Sequence, residues 1–189
     1  MRIQLADWLA RGRPAPLRWG DPLAAVVAHW PEAEAEVDEQ LRRGYPFAYL
    51  DEVEFYFEKV EGNEFAQLSE IVIKAWAIAP HDASVYFDYG WLRKGLTLAQ
   101  VQAALDTAAI VYQLERGPAF NTPNLRTATG VLFAFYADQV YATPADDAAA
   151  ELSKVYLTQA ASTAATPKTN SPALLLKGGA VTVQEARSA

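Results

Sequence analysis

The stretch Glu52-Val53-Glu54-Phe55-Tyr56-Phe57-Glu58-Lys59 alternates apolar and polar side chains, and a period of two marks a strand buried on one face. Val53, Phe55 and Phe57 are expected to point into a core. Glu52, Glu54, Tyr56 and Glu58 are expected on the opposite, acidic face. The strand signal starts at Phe47, and Glu61-Gly62-Asn63-Glu64 supplies turn residues after it. From Phe65 to Ala77 an extended pattern resumes, with Ile71, Ile73 and Ala75 alternating with Val72 and Lys74. Two such runs around a tight turn predict an antiparallel hairpin.

Working toward the N-terminus, Glu32 to Arg43 places acids early and arginines late, which complements a helix dipole, and Gly44 gives it a stop. Only Val37 and Leu41 offer it a packing face, so this helix is expected to be largely exposed. Asp21-Pro22 reads as the capped start of a helix with Leu23, Val26, Val27 and Trp30 on one side, ended or bent at Pro31. Leu5 to Ala10 suits a short helix, broken by Arg11-Gly-Arg-Pro-Ala-Pro.

Toward the C-terminus, a loop with Pro80-His81-Asp82 precedes the aromatic tract Val85–Leu92. Thr97 is then a cap for a helix with Leu98, Val101 and Leu105 on one face, and Gln100 completes a capping box. Ile110–Leu114 reads as a strand, and so does Leu125–Tyr136, where Val131, Phe133 and Phe135 mark one side. Ala148–Thr158 fits a helix by its alanines or a strand at its end, and the strand is favoured there. Together these elements predict an α+β fold: a mainly antiparallel sheet of about five strands with two to four helices packed on it. Residues 1–159 form one domain in this reading. The Ala/Ser/Thr/Pro-rich residues 160–173 read as a flexible linker, followed by the short apolar segment Leu174-Leu-Leu-Lys-Gly-Gly-Ala-Val-Thr-Val.

The 189 residues, 51% hydrophobic and 12% aromatic, suffice for one substantial core. Cysteine is absent, which excludes disulfides, thiolate nucleophiles and cysteine-ligated metal centres. The N-terminal residues carry charges at positions 2, 7 and 11 without an apolar signal region, and no run approaches the roughly 18 apolar residues of a spanning helix. A cytoplasmic location and no membrane partner are therefore expected. The net charge is −7. Setting aside Lys168, Lys177, Glu185 and Arg187 of the tail leaves 13 basic and 22 acidic residues, a charge of −9. Such a balance opposes binding to nucleic-acid backbones and suits a basic protein partner, or serves solubility alone.

Signals for catalysis are weak. With only two histidines, His29 and His81, no multi-histidine metal site can assemble in one chain, and His81-Asp82 lacks the further histidines that an HD-type metal centre needs. His29 suits a helix end or the edge of the core. No Walker A or Gly-x-Gly-x-x-Gly loop follows a strand, and no Gly-x-Ser-x-Gly elbow exists. Glu52 and Glu54 share a strand face as paired catalytic carboxylates would, but alternating glutamates are also the ordinary solvated face of such a strand. No catalytic residue, cofactor or metal is expected. The candidate partner-binding residues are Glu52, Glu54, Tyr56 and Glu58, an acidic stripe with an aromatic at its middle. Glu32, Glu34, Glu36, Asp38 and Glu39 form a second acidic cluster, which reads more simply as a hydrated exterior.

The order of pieces resembles small bacterial α+β proteins found beside polymorphic toxins, many of them immunity proteins. The likeness is carried by Asp21-Pro-Leu-Ala-Ala-Val-Val, Tyr49-Leu-Asp-Glu-Val-Glu-Phe-Tyr-Phe, Leu68-Ser-Glu-Ile-Val-Ile, Trp91, Leu96-Thr-Leu-Ala-Gln-Val-Gln-Ala-Ala-Leu and Gly130-Val-Leu-Phe-Ala-Phe, over about residues 20–158. It implies a non-catalytic protein that neutralises a cognate toxin, with a basic toxin domain matching the acidic surface. A scaffold or adaptor assembling through the C-terminal segment is the competing expectation. The oligomeric state stays open.

Overall fold

A computed structural model of the chain describes residues 2–79, 84–118, 120–136, 140 and 143–159. The linker and C-terminal segment expected after residue 159, and the Pro80-His81-Asp82 loop, lie outside these residues. The chain opens with β1 (Ile3–Gln4) and α1 (Leu5–Arg11), followed by α2 (Leu23–Val27) and, after a 3-10 turn at Pro31–Ala33, α3 (Glu34–Arg42). Next come β2 (Phe47–Leu50), β3 (Val53–Val60), β4 (Asn63–Ile73), β5 (Phe87–Asp88) and α4 (Leu98–Thr107). The last elements are β6 (Tyr112–Arg116), β7 (Pro123–Thr127), β8 (Leu132–Phe135), α5 (Pro144–Ala149) and β9 (Leu152–Thr158).

The class is α+β, but the sheet is larger than the sequence predicts. Among the described residues, seven antiparallel strands run in the order β2-β3-β4-β9-β8-β7-β6, with a separate two-stranded parallel ladder β1-β5, and there are five helices rather than the expected two to four. Two of the additional strands come from tight turns inside apparent single runs. Asp51, at φ 48°, turns β2 back on β3. Gly130, at φ 91°, sits in the turn that splits Leu125–Tyr136 into β7 and β8. The strand expected from Ile110 begins at Tyr112 instead, because Ala109 adopts φ 54° after α4.

The expected β3-β4 hairpin forms through Glu61 and Gly62, both at positive φ, the conformation that two-residue hairpin turns require. Thr97 and Gln100 make the reciprocal capping box of α4. The start of α2 differs from expectation: Pro22 occupies the N-cap, and the Asp21 carboxylate instead accepts from the Arg18 backbone N–H at 2.8 Å.

One core joins the inner face of the sheet to α1–α4. Leu5, Trp8, Val26, Val37, Val101 and Leu105 from the helices are buried together with Val53, Phe55, Ile71, Phe133, Val155 and Leu157. At its centre the fully buried Trp30 lies between Phe55, Tyr86 and Phe87, with ring centroids 5.4–6.4 Å away. His29 stands edge-to-face beside Trp30 at 6.2 Å. Gly12, at φ 63°, ends α1 directly against the β7–β8 turn, and a Cβ there would collide with the carbonyl oxygen and side chain of Thr129. No described helix is long and apolar enough to cross a membrane.

Candidate functional site

Because side chains alternate along a strand, the residues between the inward-facing ones share the opposite sheet face. Strand register aligns them in rows. Tyr49, Glu54, Val72, Tyr156, Leu132, Arg126 and Gln113 are successive cross-strand neighbours from β2 to β6, spanning the full width of the sheet. A second row runs Phe47, Tyr56, Glu70, Thr158. Val72 is only 2% exposed yet stands outside the helix-covered core.

Aromatic rings dominate the β2 end. Tyr45, Phe47 and Tyr49 pack together at 5.7–6.2 Å, and Phe47 lies 5.0 Å from Tyr56. The Lys74 ammonium sits 5.4 Å from the centre of the Tyr49 ring, a cation–π contact. It also lies 3.8 Å from Glu52 and 3.6 Å from Glu54.

Of the four residues marked in the sequence, the structure brings Glu52, Glu54 and Tyr56 together. Glu54 is 7% exposed rather than a solvated carboxylate, and it accepts a hydrogen bond from the Tyr56 hydroxyl at 3.1 Å. Burial, reinforced by the Glu54 charge and that hydrogen bond, pushes the Tyr56 phenol up to about 12. Glu58 lies apart, exposed on the distal part of β3 beyond a bulge in which β4 carries the extra residue, Ser69.

Four contributors lie far away in sequence. Glu70, Tyr156, Leu132 and Arg126, with Gly130 and Thr158, line a groove of about 210 Å³ on this face. Burial raises the Glu70 carboxyl above its ordinary value, opposed by the Lys154 charge. Burial also raises the Tyr156 phenol, assisted by the charges of Glu70 and Glu54. Arg126 is held by Glu115 at 2.8 Å. No local pattern could reveal this grouping, because strand register alone creates it.

The face is consequently mixed in sign, since Lys74, Lys154 and Arg126 share it with the glutamates. Among the described residues, the carboxylates without a salt-bridge partner concentrate instead on and before α3. There Glu39 pairs with Arg42 and Arg43, while Glu32, Glu34, Glu36 and Asp38 have no such partner. No group of three or more described His, Asp or Glu side chains is arranged to hold a metal ion.

Comparison with known proteins finds no matching family model, curated protein or solved structure.

Proposed function

We propose that this chain is a non-catalytic binding protein of the immunity type, which neutralises a cognate bacterial toxin by covering its working surface. The observation that carries the reading is the aromatic outer face, with Tyr45, Phe47, Tyr49 and Tyr56 clustered at one end and the Tyr156 groove near the middle. Tyrosine offers a large, rigid, amphipathic contact surface with little conformational entropy to lose, the property that makes it an interface anchor. The unpaired carboxylates beside α3 add a negative field that would accelerate encounter with a basic partner.

The carboxylate pair fits this reading better than a catalytic one. Glu52 and Glu54 converge on Lys74, and Glu54 also accepts from Tyr56, so both help to hold the face in shape.

The test is co-expression with the product of the adjacent gene, followed by co-purification and growth measurement. Growth protection is expected, and Phe47→Ala with Tyr156→Ala should weaken the complex at least about tenfold, as loss of interface anchors does. An adjacent product that neither harms cells nor binds this chain at low salt removes the reading.

A further inference from the structure

A second groove, of about 380 Å³, lies on the other side of the molecule's architecture, where α2 and α3 meet the start of β4. Leu23, Val27, Val37 and Phe65 give it apolar walls, and the carboxylates of Glu34 and Asp38 stand among its lining residues. Neither carboxylate has a salt-bridge partner among the described residues.

The course of β9 leads toward this groove. Gln159 N–H donates to Ser69 C=O of β4 at 3.4 Å, the last backbone contact of β9. One residue further along β4, Leu68 is already paired with a different segment: it accepts from Gly20 N–H at 2.9 Å and donates to Asp21 C=O at 2.8 Å. Gln159, the last described residue, therefore stands beside the Gly20–Asp21 segment, next to Pro22, which is itself a groove residue. Phe65 is four positions from Ser69 along the same strand, roughly 13 Å at strand rise.

The sequence that follows Gln159 has the matching chemistry. Residues 160–189 hold three cations, Lys168, Lys177 and Arg187, against the single acid Glu185, whereas the preceding residues sum to −9. Leu174-Leu175-Leu176-Lys177 places a short aliphatic run next to a cation, the pattern that apolar walls with an acidic margin select. A flexible linker of fourteen residues, the length of 160–173, would span roughly 20 Å root-mean-square, enough for the separation involved. Tethering at that range gives an effective concentration on the order of millimolar.

We infer that the α2–α3–β4 groove is the docking site of this chain's own Leu174–Lys177 segment, with the leucines against Val27, Val37 and Phe65 and Lys177 beside Glu34 and Asp38. Docking would place a cation over two of the carboxylates left unpaired around α3. It would thereby reduce the negative field that this part of the molecule presents. The inference does not depend on the outer sheet face or on what that face binds.

The absence of cysteine makes the test direct. In the full chain, Ala24→Cys with Leu175→Cys is compared with Val111→Cys and Leu175→Cys, the control position being exposed near the β6 edge. Under mild oxidation at low salt, the groove pair should close an intrachain disulfide about tenfold faster than the control, an advantage expected of a preferred docked state. Lys177→Glu or high salt should reduce that advantage. Amide resonances of Val27, Val37 and Phe65 should shift when Leu175→Asp is introduced into the otherwise unmodified chain. Equal crosslinking rates at the two positions, or unchanged groove resonances in the Leu175 variant, would overturn the proposal.

Discussion

Glu70 shows how one side chain reports the state of the outer face. Its carboxyl is raised because burial disfavours the charge more than Lys154 favours it. A raised folded-state value means that the native state binds the proton more tightly than the unfolded chain. The associated stability is present below the ordinary glutamate range and is lost as pH rises through the folded value. Glu70→Gln should therefore be more stable than the parent at pH 7. The advantage should vanish below about pH 4, where both states are protonated. Thermal midpoints of the two proteins at both pH values check this, and an identical offset at each would show that charge burial is not the cause.

At the scale of elements, the readable features are those made by neighbours in the chain. The Thr97–Gln100 capping box and the β3-β4 turn use residues within a few positions of each other, so their chemistry is visible in the sequence. Asp21 shows how even local reasoning can misplace a cap, since its carboxylate serves the preceding turn at Arg18. Gln40 was hidden for a different reason. On an acidic helix it looks like a surface residue, yet it is 3% exposed. Its side-chain amide donates to Tyr49 C=O and accepts from Tyr49 N–H, both at 2.8 Å. It thus serves as a substitute strand partner that joins α3 to the sheet edge at β2. Gln40→Leu would leave both Tyr49 backbone groups without that partner, at about 1–3 kcal/mol each where water cannot replace it. A loss of about 2 kcal/mol or more is expected, read as a lower urea midpoint with an unchanged slope.

For the whole molecule, the arrangement of strands matters more than their number. The sheet consists of two three-stranded meanders, β2-β3-β4 and β6-β7-β8, which touch within the sheet only through β9. The candidate site inherits this non-local character: Tyr49, Glu54 and Val72 come from one meander, Leu132 and Arg126 from the other, and Tyr156 from the joining strand. That is why Glu52, Glu54 and Tyr56 could be noted from one strand, while the groove beside them could not. The central strands should also be the last to open. Hydrogen exchange is expected to be slowest at Ile71, Ile73, Val155 and Leu157, and faster in β2 and β6, whose outer edges are not hydrogen-bonded to another strand of the sheet. Uniform protection across all seven strands would contradict that hierarchy.

The late position of β9 along the chain also bears on biogenesis. While a ribosome is extending the polypeptide toward Leu152, both meanders have already been synthesised, and the β4 and β8 edges lack the neighbour that finally separates them. Ile71, Ile73 and Phe133 border that gap, so the nascent chain presents two sticky, unsatisfied ladders until one further strand arrives. Premature termination before residue 152 should consequently yield an aggregating product rather than a smaller folded one.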